Sequence, residues 1–415
     1  MHYIIIGAGP AGIVAAETLR ENDPDSEITV INAEKEPPYS RMAIPYFLEE
    51  NITEEGSYLR GHKSHFEKLN IGILQDSVTS LDASAKNINL ASGDDLNFDK
   101  LLIASGSNAL TPPIPGIDLD CVSNCWTLED ARNIVGLAAK GSNVVLIGAG
   151  FIGCIILQSL VKRGVNLTVV ETGDRMVPRM LNDKAGGLLK QWCIDKGINV
   201  QTSCSVESIN QDGKGAKVKL SNDLELPADL VITATGVKPN TGFMDDSGIK
   251  IEQGIIVNEF LQTSNENIYA AGDVAQGLDF STGLFTVQAI QPTATDHGRI
   301  SALNMCGKTS SFHGSVNMNV LDTLGLISCS FGLWMGVEGE NADSSEVYNE
   351  KNFRYINLQF DGDTLVGASC IGLTQHIGAI RGLIESKIPL GPWKARLKKD
   401  PTQIMQAYIG STQTL

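Results

Sequence analysis

The sequence predicts an α/β protein made of two Rossmann-like, three-layer dinucleotide-binding domains and a C-terminal α+β domain. Three observations carry this. His2-Tyr3-Ile4-Ile5-Ile6-Gly7-Ala8-Gly9-Pro10-Ala11-Gly12 reads as a buried parallel strand running into a glycine-rich turn and then a helix. The theme returns once, at Asn143-Val144-Val145-Leu146-Ile147-Gly148-Ala149-Gly150-Phe151-Ile152-Gly153. From Phe312 onward the texture changes to alternating strands.

In the first unit Gly7 permits the tight turn and Gly9 lets the backbone approach a pyrophosphate. Gly12 lets a helix over 13–22 pack on the strand with its amide end facing the anion. The Asn22-Asp23-Pro24 turn stops that helix, because proline cannot continue it. A strand over 28–31 follows, and beyond it Asn32 and Glu34 are candidates to bond an adenosine ribose. Residues 98–107 read as a strand ending in small residues, and the proline-rich run 111–116 suits a rigid linker.

The second unit continues with a helix to about Arg163 and a strand over 166–170. Glu171 at that strand's end can accept bonds from the ribose hydroxyls of NAD and would repel the extra phosphate of NADP; the alternative is a solvated charge. Residues 228–236 nearly copy 98–107 and close this unit. Residues 267–275 read as a buried strand ending in Gly272-Asp273, whose carboxylate is placed to bond a polyol chain or to face solvent. A helix over 292–306 follows, with Pro292 in its first turn. Strands over 327–333, 352–360 and 364–373 and a helix over 378–386 make 316–415 a separate α+β domain.

Composition narrows the class. A net charge of -16 argues against nucleic acid and against adsorption to anionic membranes. Eight scattered cysteines, with no CxxC and no metal-ligand spacing, point to the cytoplasm and to no metal site. The N-terminus enters a core strand almost at once, so no signal peptide is expected. No apolar run reaches the ~20 residues of a membrane span.

The ordered set GAGPAG, the ASG strand end, GAGFIG with Glu171, the ATG strand end at 234–236 and AAGDVA at 270–275 resembles the FAD- and NAD(P)H-dependent pyridine nucleotide-disulfide oxidoreductases over the whole chain. Pro38-Tyr39-Ser40-Arg41, with Leu365-Val366-Gly367-Ala368, Arg381, Leu383 and Ile384, looks most like rubredoxin reductases and the flavin part of NAD(P)H nitrite reductases. The resemblance implies a glutathione-reductase-like layout. Its FAD domain would be split over 1–110 and 242–315, around an NAD(P) domain at 111–241. It implies FAD on Gly7, Gly9, Pro10, Ala11, Gly12, Glu34, Arg41, Val78, Ala104, Ser105, Gly106, Gly272, Asp273, Pro292 and Thr293. It implies NAD(H), in preference to NADPH, on Gly148, Gly150, Phe151, Ile152, Gly153, Glu171 and Gly236. The 292–306 helix would then turn its positive end toward the flavin ring.

Three departures qualify the resemblance. Relatives that attack disulfides carry a cysteine where this chain has Met42, and a thioether forms no thiolate, so thiol chemistry is not expected. A glutamate and lysine that pair near the flavin in ferredoxin reductases are replaced by Ile155 and Tyr46; losing both avoids an unpaired buried charge. Gln291 stands where many relatives have an aromatic residue.

Tyr46, Met42 and His297 are the candidates near the flavin, with no catalytic residue assigned. His297 is the histidine to consider for proton delivery, although a solvent-facing position on its helix is the stronger expectation. Cys121 and Cys125 are expected to be packing, as is Cys154, unless the helix dipole lowers its pKa. The basic run 393–399 is a docking candidate for an acidic electron-carrier protein, or a solvated helix face. The expected function is an FAD enzyme passing electrons from NADH to a rubredoxin- or ferredoxin-like protein, a quinone or another small acceptor. A flavin oxidase or dehydrogenase subunit acting on a small organic substrate, and a redox-sensing flavoprotein, are the alternatives. A homodimer is left open.

Overall fold

The structure, a computed structural model, describes residues 1–61 and 64–413. It divides into two compact units, 1–108 with 237–315, and 109–236 with the chain from 316 onward.

The first unit is built on a five-stranded parallel sheet in the order Ile268–Ala270, Lys100–Ile103, His2–Ile6, Glu27–Asn32 and Gly72–Gln75. His2–Ile6 sits at its centre and is covered on both faces, which is why its sequence is a continuous apolar run without alternation. Tyr3 and Ile5 pack into a cluster with Ile13, Ala16 and Leu19 of the helix Pro10–Asn22. Ile4 and Ile6 face the opposite cluster, with Ile88, Phe98 and Leu101. Each such fully buried isoleucine contributes about 2 kcal/mol. The helix begins at Pro10, three residues before the sequence suggests, because proline's fixed φ suits the first turn. The long helix Gln291–Met305 lies against it. A Cβ on Gly298 would come 2.2 Å from the Ala11 carbonyl, so only glycine permits this approach.

The second unit repeats the plan with a parallel sheet in the order Asn199–Gln201, Asn166–Val170, Asn143–Ile147, Leu230–Thr233 and Val122–Asn124. From 316 the chain forms an antiparallel sheet of Met318–Thr323, Leu326–Gly332, Thr364–Ile371, Arg354–Asp361 and Ala342–Asn349. Its helices include Ile377–Ser386 and Pro392–Lys399. Three three-stranded sheets escape the sequence reading: the antiparallel Val78–Asp82 to Asp95–Asn97 and Val206–Asp212 to Glu225–Ala228, and a mixed one in which Ala275–Leu278 pairs parallel with Ile255–Ile256 and antiparallel with Phe285–Val287. Among the described residues no helix is long and apolar enough to cross a membrane.

Candidate functional site

In the first unit the central strand ends at Gly7, whose φ of +110° and close approach to Ala104 (a Cβ would stand 2.2 Å from its carbonyl oxygen) both require glycine. Gly12 is equally constrained, since its Cβ would meet the Gly7 carbonyl oxygen at 2.0 Å. Gly9 is different. Its backbone is extended, at φ -75° and ψ -177°, and a Cβ there would meet nothing within 4 Å. The helix it caps has first-turn amides without intrahelical acceptors, and glycine brings no side chain to satisfy them. The result is an open, positively polarised cradle suited to a diphosphate.

Around this cradle the structure gathers acidic and basic groups from distant parts of the chain. Arg41 Nη2 lies 2.7 Å from Glu34 Oε1, and the Tyr39 hydroxyl donates to Glu34 Oε2 at 2.5 Å. Asp273 sits in the turn Gly272–Val274 and accepts the Ser107 hydroxyl at 2.7 Å. Burial raises its pKa, while the Ser107 bond and the field of Arg41 pull it back, so Arg41 bears on both carboxylates. Ser105 donates to the Asn240 carbonyl at 2.8 Å, and Gly106 turns with φ +67° into open space. Pro292 and Thr293 begin the Gln291–Met305 helix, where Ser40 donates to Gln291 at 2.9 Å and the Thr293 and Ser315 hydroxyls meet at 2.6 Å. A Cβ on Gly272 would touch Ala11 at 3.3 Å and Ala294 at 3.5 Å, so the starts of both helices converge on this turn. Val78 packs partly buried against the core, and Asn32 donates to the Glu36 carbonyl at 2.8 Å, away from Glu34. Met42 and Tyr46 are open to solvent, 50% and 57% exposed.

His297 departs from expectation. It is 3% exposed, because it lies on the inner face of its helix with its ring edge-on to Phe312. Burial pushes its pKa down to about 4, and its Nε2 has no hydrogen-bond partner. It is therefore not solvent-facing, and its Nε2 bonds no other described side chain or backbone group.

The second unit repeats the cradle. Gly148 has φ +103°, and Gly153 would place a Cβ 2.2 Å from the Gly148 carbonyl oxygen. Gly150 caps the helix Phe151–Lys162 with a Cβ direction open for 4 Å. Phe151 and Ile152 form that helix's first turn. Glu171 is 8% exposed, which removes the solvated-charge alternative. Its carboxylate accepts Ala149 N–H at 2.8 Å and Gly173 N–H at 2.7 Å, so it faces the glycine loop. Arg175 is turned away by bonds to Asp174, Asp183 and the Leu181 carbonyl. Gly236, at φ +118°, lies near Leu110.

The cysteines on which the sequence left a question are all buried. Cys154 is fully buried against the Ala149 carbonyl, and burial outweighs the helix dipole, raising its pKa well above the usual thiol value. Cys121 and Cys125 are buried, and burial raises both, Cys125 to about 12. The basic run is also less open than it reads: Lys394 and Lys398 pair with Asp343, and Arg396 stacks on Trp393. Ser40 and Ser107 lie within stretches the sequence singles out without being site candidates themselves, and Asn240 carries no motif; the fold brings Ser107 to Asp273, Asn240 to Ser105 and Ser40 to Gln291.

Residues 1–297 match the family described as pyridine nucleotide-disulphide oxidoreductase. The chain is 30% identical over 414 residues to the NADH-dependent phenylglyoxylate dehydrogenase subunit epsilon of Aromatoleum evansii, covering 99% of this chain and 97% of that one. It is 30% identical over 372 residues to the NADH-rubredoxin oxidoreductase of Clostridium acetobutylicum, covering 89% and 90%. Among solved structures, the NAD-dependent persulfide reductase from A. fulgidus superposes with a TM-score of 0.86 at 29% identity, covering 94% of this chain and 78% of that one.

Proposed function

The chain belongs to the pyridine nucleotide-disulphide oxidoreductase family, and from that premise we propose that it is an FAD enzyme that oxidises NADH and hands the electrons to a separate protein acceptor without using a thiol. The observation that supports this best is the doubling of one cradle. Gly9 and Gly150 each cap a helix with an open Cβ direction, and each is followed by a strand-end carboxylate, Glu34 or Glu171.

The residues present fit the two dinucleotides. The helix starting at Pro10 would hold the FAD diphosphate, Glu34 and Arg41 its adenosine end, and the buried Asp273 carboxylate a ribityl hydroxyl. The helix starting at Phe151 and Glu171 would hold NADH, and Glu171 would exclude the extra phosphate of NADPH. When bound, FAD supplies the hydride acceptor and the one-electron steps that nicotinamide lacks. Met42 stands where disulfide-attacking relatives carry a thiol, and Tyr46 where ferredoxin reductases carry one member of a charge pair. The eight cysteines remain thiols, in keeping with a cytoplasmic setting. The three-domain division, with 316–415 on its own, belongs to the same reading.

For the acceptor, the rubredoxin oxidoreductase relative favours a small electron-carrier protein. A second reading has one observation in its favour: a relative matched almost end to end is named as a dehydrogenase subunit, which makes another subunit of a dehydrogenase the exchange partner instead. Stopped-flow oxidation of the NADH-reduced protein separates the two. Rapid reoxidation by an acidic rubredoxin or ferredoxin supports the carrier reading. Sluggish reoxidation by these, with stable co-purification of a dehydrogenase subunit, supports the second.

A further inference from the structure

His297 is buried, yet it is neither a packing residue of ordinary polarity nor part of a relay. Its Nδ1 accepts the backbone N–H of Gly272 at 3.3 Å. An accepting Nδ1 has no proton, so the neutral ring carries its hydrogen on Nε2. The low pKa imposed by burial keeps the ring in that form at physiological pH. Nε2 is itself left without a partner, lying near Gly277 and edge-on to Phe312. A buried N–H without an acceptor is unfavourable, and an apolar residue would avoid it. The other ring nitrogen therefore gives the side chain its use.

What Nδ1 holds is the first amide of a turn whose flanks are tied by the Ala271 N–H to the Ile103 carbonyl at 3.0 Å and by the Ala275 N–H to the Gly272 carbonyl. Gly272 sits in the left-handed region at φ +73°, and the next residue is Asp273. On the other side of Asp273, Ser107 fixes the carboxylate. We infer that His297 is a positioning residue for the flavin site: by accepting the Gly272 amide it fixes the turn that carries Asp273, and so acts on FAD only through that carboxylate. This rests on the reading of Asp273 as an FAD ligand.

The test is the FAD dissociation constant of reconstituted apoprotein for wild type, His297→Asn, His297→Leu, Asp273→Ala and the His297→Leu/Asp273→Ala double variant. Asn and Leu share one branched shape, but only Asn carries an acceptor on Cγ, where the imidazole Nδ1 stands. Asp273→Ala is expected to weaken FAD binding about 30-fold and His297→Leu about tenfold. His297→Asn should stay within about twofold of wild type, and the double variant should be no weaker than Asp273→Ala alone. Full additivity of the two losses would overturn the inference, because His297 would then act independently of Asp273. A folded His297→Asn that loses FAD about tenfold against wild type would overturn it too, and that comparison needs only the Asn variant. If Asp273→Ala binds FAD normally, the ligand reading itself falls, a result distinct from either of these.

Discussion

Glu171 accepts the backbone N–H of Ala149, the second residue of the downstream glycine loop, at 2.8 Å, while its other oxygen accepts the N–H of Gly173. A carboxylate held by two amides at the mouth of a dinucleotide cradle keeps negative charge where a 2'-phosphate would have to sit. Replacing Glu171 with Ala should lower kcat/KM for NADH about tenfold and raise it for NADPH. Steady-state kinetics with both cofactors checks this. A wild-type enzyme that prefers NADPH would remove Glu171 from the ribose.

The Glu34–Arg41 pair is about one-third exposed on each side chain. Pairs of this kind contribute about 0–1 kcal/mol to folding, so its value should lie in cofactor binding. Arg41→Met should leave the apoprotein's thermal midpoint almost unchanged and raise the FAD dissociation constant by about tenfold or more. A large fall in apoprotein stability with FAD affinity intact would reverse that assignment.

Two glycines of one motif should respond differently. A Cβ at Gly12 would lie 2.0 Å from the Gly7 carbonyl oxygen, so Gly12→Ala should destabilise the apoprotein by about 2 kcal/mol or more. Gly9 has an extended backbone and open space ahead, so Gly9→Ala should fold normally and lose FAD. Circular dichroism melts of the apoproteins alongside flavin content measure both. Equal damage to folding from the two variants would refute the open cradle.

Asp273 gives a pH signature. Its folded pKa is raised by burial, so as pH rises the unfolded chain ionises first and folding stability is lost through the interval from the ordinary carboxylate range up to the folded value. Asp273→Asn removes that loss. As pH rises above the ordinary carboxylate range, about pH 4, the variant apoprotein should gain on wild type, while holding FAD less tightly. Parallel melts across that range would show that Asp273 titrates normally.

The sequence made the two central strands, their parallel neighbours at 28–31 and 166–170 and both glycine loops legible, because each lies within one β-α-β stretch whose spacing is set locally. The burial of His297 was not legible. Its helix carries few apolar residues, and the ring is enclosed by Phe312 and Gly277, contacts set by the fold. Nor was the masking of the basic run, since Lys394 and Lys398 on one helix meet Asp343 on a strand about fifty residues earlier. The pairing of Glu34 with Arg41 and Tyr39 was not legible either, because no local periodicity brings those residues together. Strand-end glycines and acids follow from local geometry, whereas the partners of charged groups follow from tertiary folding.

Anaerobic titration of the FAD-loaded protein with NADH, followed by flavin absorbance, addresses the central claim most directly. With Met42 in place of a thiol and Cys154 buried at a raised pKa, the proposed function gives the enzyme one centre to fill, the flavin. The account predicts fast bleaching complete at one NADH per FAD, unchanged after cysteine alkylation and unchanged in Cys154→Ser. No bleaching, or an endpoint at two NADH per FAD that returns to one in Cys154→Ser, would contradict it.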